Sequence, residues 1–433
     1  MGLILQRKVI IFNLRLLPLF MIEYKKHILD NGLTVITHED DTTPLAYFNL
    51  IYEVGSRDES EDKTGFAHLF EHLMFGGSGN IENFDNPLQQ VGGDNNAFTS
   101  PDVTNYYMTL PAENLETAFW LESDRMLSLS FDPKVLEVQK KVVIEEFKQR
   151  YLNQPYGDVW FHLRKLAFER HPYMWPTIGK DISHIEGATM EDVKNFFYRH
   201  YAPNNAVLVV AGNIKDADVL KLAMKWFGPI PKRDVPLRKL PKEKPQTRAR
   251  QKTVTADVPV NAIYKTFHMP GRTEHSYYQV DLLSDILGRG KSSRLYERLV
   301  KQNQVFNSIN AYVSGSFDPG LLVVNGKFGD HVTHAEADNY ISEVLEELRE
   351  EIVEDSELEK VKNQAESYHI ASQLDILNRA MNLAFATLLG DTDLVNIEID
   401  LMRAVDKDQI LQQARKVLTP ENSSTLYYLK KEK

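Results

Sequence analysis

The chain has 433 residues, a formal net charge of -11 and no cysteine. With 42% hydrophobic and 26% charged residues it has the composition of a soluble globular protein of two or three domains. The acid excess argues against nucleic-acid binding, and the missing cysteine excludes disulfides, thiolate catalysis and Cys-held zinc. Any zinc would have to sit on His, Asp or Glu.

Residues 1–20 are apolar but broken by Arg7, Lys8 and Arg15, so no uninterrupted run reaches membrane-spanning length. No small-residue cleavage site follows Phe20. Residues 1–21 read as an upstream extension from a misplaced start codon, with an amphipathic anchor as the alternative. No membrane span is expected, and a cytoplasmic location is favoured over a periplasmic one.

Folded sequence then begins. Leu33–Thr37 after the turn Asp30-Asn31-Gly32, and Ala46–Val54, carry strand signals. They lead to Phe66-Ala67-His68-Leu69-Phe70-Glu71-His72-Leu73-Met74-Phe75, closed by Gly76-Gly77. Phe66, Leu69, Phe70 and Leu73 recur at i, i+3, i+4 and i+7, an apolar helical stripe. At about 100° per residue, His68, Glu71 and His72 fall on the opposite side. Imidazoles one turn apart can grip one zinc ion, and the carboxylate beside them can accept a proton from water. His-x-x-Glu-His is the reverse of the His-Glu-x-x-His zinc motif.

Asn95–Thr99 and Thr104–Leu110 read as a strand pair around Ser100-Pro101-Asp102. A helix is expected over 112–130. Asp132-Pro133 opens another, with Asp as N-cap and Pro in the first turn, running to about Tyr151. Helices 157–168 and 189–200 precede the buried-looking strand Ala206–Gly212. Residues 228–250 hold five prolines among many Lys and Arg, and read as an extended, exposed linker.

A second set follows: strands within 252–268, a helix from near His275 to Gly288, helix 292–301, strands 306–313 and 320–328, and long helices 333–352 and 355–387. Helix 407–418 leads into strand 424–429. Ala202-Pro203-Asn204-Asn205 and Thr419-Pro420-Glu421-Asn422 both separate a helix from a strand. This echo implies a duplicated α+β unit: two similar halves, each a mixed, mainly antiparallel sheet packed with helices. The expected division is 22–227 for the half bearing the metal helix, 228–250 for the linker and 251–433 for the second half.

Two His leave zinc short of the three protein ligands of a catalytic site. Glu145 and Glu146, on the apolar helix Val142-Val143-Ile144-Glu145-Glu146-Phe147, are candidates. Spacing does not choose between them or exclude Asp94 or His162.

Gly65–Phe75 resembles the signature of the pitrilysin family of zinc metallopeptidases, which includes bacterial relatives of the mitochondrial processing peptidase. Val142–Glu146 resembles its second motif. Gly92–Thr99, His171-Pro172-Tyr173, Ile178-Gly179 and Ser292-Ser293-Arg294-Leu295 are also similar to family patterns. The resemblance covers residues 23–430. It implies one zinc per chain on His68, His72 and Glu146, with Glu71 as general base and a zinc-dependent endopeptidase acting on unstructured peptides. It further implies that Asn96, Ala97 and Phe98 bind the substrate as an added strand. Where the family usually has a further Glu, seven residues before the ligand Glu, this chain has Gln139.

The family's fold also serves non-catalytic assembly subunits, which is the alternative function, and a zinc hydrolase of non-peptide substrates is a further rival. In the family an Arg and a Tyr from the half without zinc help hold substrate. Here those positions fall on Val300 and Asn307, which cannot do so, leaving Arg298 or Tyr296 as local substitutes. The expected partner is therefore a homologous subunit supplying the pair in a heterodimer, with a homodimer as the alternative.

Overall fold

The computed structural model describes residues 21–432. The expectation for residues 1–20 lies outside them.

Eleven strands among the described residues form two sheets. The first contains β1 (Lys25–Ile28), β2 (Thr34–Glu39), β3 (Leu45–Tyr52), β4 (Asp94–Thr99), β5 (Thr104–Pro111) and β6 (Ala206–Gly212). The second contains β7 (Arg250–Ala256), β8 (Asn261–His268), β9 (Phe306–Ser314), β10 (Leu321–Phe328) and β11 (Ser423–Lys430). Their orders are β1-β2-β6-β3-β5-β4 and β7-β11-β8-β10-β9. Apart from β1, the two orders correspond strand for strand. In each, one pair is parallel, β2 with β6 and β7 with β11, and the other neighbours are antiparallel. The duplication read from the sequence is thus a duplication of topology.

It extends to single atoms. Asn205 Nδ2 donates to the carbonyl of His200 at 2.8 Å and to that of Glu53 at 3.3 Å. Asn422 Nδ2 donates to the carbonyl of Val417 at 2.8 Å and to that of His268 at 3.0 Å. Each Asn closes the preceding helix and ties the central strand to its neighbour's end.

Six helices position the site and cover the sheets: α1 (Phe66–Leu73), α2 (Pro133–Phe147), α3 (Val159–Ala167), α4 (Ser276–Gly288), α5 (Asp355–Ser372) and α6 (Ile376–Leu388). The stripe Phe66, Leu69, Phe70 and Leu73 of α1 is buried with Phe48, Leu50, Met108, Leu208 and Val210 of the first sheet and Leu136, Val143 and Phe147 of α2. Each such side chain contributes roughly 1.5–3 kcal/mol of burial. That burial fixes how α1 is rotated, and with it where His68, Glu71 and His72 point. The second sheet has its own core around α4, with Leu283, Ile286, Leu322 and Val324.

The other face of each sheet is covered from the opposite half. Val207, Val209 and Ala211 of β6 pack on Ile376, Ala380, Leu383 and Ala384 of α6. Conversely, Val159 and Leu163 of α3 pack on Ala262, Leu426 and Tyr428 of the second sheet. This double cover explains why β6 is an unbroken apolar run, buried along its whole length.

Some elements differ from expectation. The helix expected over 355–387 is two helices, α5 and α6. The Asp375 carboxylate accepts from Leu377 N at 2.8 Å and starts the second. The helix from Pro133 ends at Phe147 and continues as a wider π turn, Lys148–Leu152. Within the expected helix 292–301 the chain winds helically from Arg294 and passes into a π turn, Tyr296–Gln302. Helices Asp216–Trp226 and Leu394–Arg403 are additional to those expected. The proline-rich stretch from 228 has no helix or strand before β7, but it is pinned. Arg238 Nε donates to Asp58 at 2.6 Å, and Glu243 accepts from the backbone N–H groups of Arg170 and His171.

Candidate functional site

The site is built on α1. Gly65 precedes it in a left-handed conformation, φ +87°, and a Cβ there would meet the Ile178 carbonyl at 2.7 Å. The carboxylate of Glu59 accepts from Gly65 N at 2.9 Å and Ala67 N at 2.8 Å, satisfying two of the free N–H groups at the helix start. Sequence reasoning missed Glu59. It caps from outside the local window, across a loop with no periodic signal. The closing glycines behave as read, since Gly76 N donates to Leu73 O at 3.0 Å and Gly77 turns with φ +96°.

Opposite the buried stripe, His68 and His72 stand one turn apart with ring centroids 4.9 Å apart. Helix α2 brings up Glu146. Its Oε2 lies 3.6 Å from His68 Nε2 and 3.5 Å from His72 Nε2. One ligand-type atom from each of the three lies within 4.8 Å of the other two, the only such group among the described residues. Bonds of about 2.0–2.2 Å in a tetrahedron put neighbouring donors roughly 3.3–3.6 Å apart, so the separations fit one zinc ion. The donor chemistry fits as well. Burial, and then the neighbouring His72, hold the His68 imidazole well below its ordinary pKa, which keeps it neutral. The Glu146 carboxyl is held below its usual range, chiefly by its contact with His72. Its other oxygen is 2.9 Å from Arg150, on the π turn.

The remaining candidates go elsewhere. Glu145 is mostly exposed and pairs with Lys148 at 2.8 Å. His162 lies between Asp158 and Lys252, and Asp94 is exposed at the start of β4. Glu71 sits beside the group and accepts a hydrogen bond from Thr99 Oγ1 at 2.6 Å. Burial pushes its carboxyl up, against that bond and His72. Strand β4 is the sheet's free edge, pairing only with β5. Asn96 Oδ1 accepts from Ala97 N at 2.8 Å, Ala97 packs on the first core, and Phe98 stacks on Phe385 of α6.

The peptidase M16 family model, described as "Insulinase (Peptidase family M16)", matches residues 34–179, and its companion, "Peptidase M16 inactive domain", matches 187–365. The chain is 30% identical to the "Zinc protease PqqE" of Helicobacter pylori over 77% of this chain and 76% of that one. The chain belongs to peptidase family M16. It is also 30% identical to the mitochondrial-processing peptidase subunit beta of Saccharomyces cerevisiae, over 48% of this chain and 45% of that one. A solved protease structure from Helicobacter pylori superposes with TM-score 0.88 at 26% identity, covering 94% of this chain and 100% of that one. In this M16 chain His68, Glu71, His72 and Glu146 all fall in the segment matched by the peptidase model, and none falls in the segment matched by the inactive-domain model. The family is one of zinc metallopeptidases, and its two-halved fold is the fold described above. No helix among the described residues is long and apolar enough to cross a membrane.

Proposed function

We propose that this chain is a zinc-dependent endopeptidase of unstructured peptides, holding one zinc on His68, His72 and Glu146 with Glu71 as general base. The convergence of two imidazoles and a carboxylate, with a second carboxylate beside them that lies outside the ligand group, carries this reading. When bound, zinc supplies Lewis acidity, lowering the pKa of water and polarising a peptide carbonyl. Glu71 is not among the ligands, so its carboxylate is free to take the proton of the attacking water and return it to the leaving amine. An extended peptide would add to the free edge of β4 by main-chain hydrogen bonds beside Asn96, Ala97 and Phe98. Such binding orients the scissile bond while reading few side chains. The test is hydrolysis of an unstructured peptide with and without a chelator. A zinc-loaded protein that cleaves nothing would favour a non-catalytic assembly subunit instead.

We further propose that catalysis needs a homologous partner subunit. Val300 packs against the second core, Asn307 is exposed on β9, and the Arg298 guanidinium is engaged by Glu347. Val300 and Asn307 carry neither the guanidinium nor the phenol of related enzymes, and Tyr296 lies under Lys301. A partner with that pair would close over the site, each chain contributing part of it. Peptide hydrolysis by this chain alone, unchanged by any such partner or by dimerisation, would remove the proposal.

A further inference from the structure

Thr99 ends β4, and its hydroxyl donates to Glu71 Oε2 at 2.6 Å. It is the only side chain hydrogen-bonded to Glu71 among the described residues. The hydroxyl is held by backbone that is fixed on several sides. Strand alternation puts Ala97 and Thr99 toward α1, while Phe98 faces the other way onto Phe385 of α6, with ring centroids 6.3 Å apart and planes within 6°. Just past Thr99 the β4–β5 turn carries Asp102, which is buried. Asp102 accepts from the Tyr173 hydroxyl and from Phe317 N at 3.0 Å, and pairs with Arg57 at 2.9 Å. Phe317 and Phe385 both belong to the second half, so that half grips the strand at each side of Thr99.

We propose that Thr99 is a positioning residue for proton transfer: its hydroxyl fixes Oε2 of Glu71 and so assigns the proton-accepting role to Oε1. This rests on the reading of Glu71 as general base. A carboxylate turning freely about its last bond would present either oxygen, in many orientations. With Oε2 committed to Thr99, Oε1 is the oxygen left to face the metal group. The hydroxyl has one hydrogen, and Oε2 accepts it whether Oε1 is bare or protonated. Taking up and returning the proton therefore needs no rearrangement around the carboxyl. The second half, which carries none of the zinc ligands, thereby orients the base through β4.

Thr99→Val keeps the shape and removes the donor, whereas Thr99→Ser keeps the donor. The expected result for Thr99→Val, measured with any partner present, is a kcat loss of about 10- to 100-fold with KM within about twofold. Zinc content and melting temperature should stay at wild-type values, and Thr99→Ser should recover most of kcat. Crystal structures of the zinc-loaded variants give a second readout. The Glu71 carboxylate should leave its position in Thr99→Val and keep it in Thr99→Ser. An undisturbed carboxylate in Thr99→Val, equal losses in both variants, or a change confined to KM would overturn the proposal. If the wild-type protein hydrolyses no peptide, the reading of function fails, and the position of Glu71 in the two variants still decides the role of Thr99.

Discussion

Arg57 Nη1, rooted beside the first sheet, lies 3.1 Å from Asp318 Oδ2 in the turn between β9 and β10. The same guanidinium is 2.9 Å from Asp102, so one buried cation ties the tips of two equivalent hairpins, one from each half. Burial raises the Asp102 pKa and Arg57 opposes that rise, while His171, and then Arg57, hold the Asp318 carboxyl below its usual range. Removing the cation would leave Asp102 buried and uncompensated. Arg57→Met should cost about 3–5 kcal/mol in denaturant unfolding. A loss under about 1 kcal/mol would reduce the contact to the rank of a surface ion pair.

Metal content separates the two adjacent carboxylates of α2. Wild-type protein should hold about one zinc per chain. His68→Ala and His72→Ala should hold none after dialysis, and Glu146→Gln should hold far less than wild type. Glu145→Gln, altering only the exposed pair with Lys148, should match wild type. The reverse order for the two glutamates, by elemental analysis, would reassign the third ligand.

Glu71→Gln keeps the size of the side chain and an acceptor for Thr99 but cannot take a proton. It should retain zinc and its melting temperature, and lose nearly all hydrolysis. Residual kcat above about a tenth of wild type would take Glu71 out of proton transfer.

Glu59 should leave a mark on stability against pH. Burial pushes its carboxyl up from 4.5 to about 8, against the N–H groups of Ala67 and Gly65, which favour the anion. Between those two values the folded chain keeps a proton that the unfolded chain has lost. The contribution to stability is therefore full below about pH 4.5 and is lost as pH rises toward 8. Glu59→Gln cannot titrate, so its melting temperature should fall less steeply over that window. Identical slopes would show that the two N–H bonds keep Glu59 ionised throughout.

What was legible followed from local rules. Helix α1 announced itself through a complete apolar stripe, and the echo of Asn205 in Asn422 exposed the duplication. The third ligand was ambiguous because Val142, Val143, Ile144 and Phe147 make α2 look apolar all round. In the fold Val143 and Phe147 are buried while Val142 is largely exposed, which turns Glu146 toward the imidazoles and Glu145 to solvent. The break before α6 was hidden because Asp375 reads as one more surface acid until its cap is seen. Glu59 and Thr99 act on α1 across loops and strands, and no periodicity marks such contacts. The crossing of α3 and α6 was likewise unreadable. An apolar helix shows that it must be covered but not by which sheet.

That crossing sets an order of events during synthesis. When the first sheet has left the ribosome complete, from β1 through β6, the helix that seals its outer face, Ile376–Leu388, has not yet been made. Until then Ile36, Ile51, Val207 and Val209 face water on a broad apolar surface, open to chaperones and to wrong partners. Strand β4, which carries Thr99, waits on the same event through Phe98 and Phe385. A nascent chain would therefore hold the histidines of α1 long before the strand beside them is braced, so that the finished arrangement of the site waits on the second half.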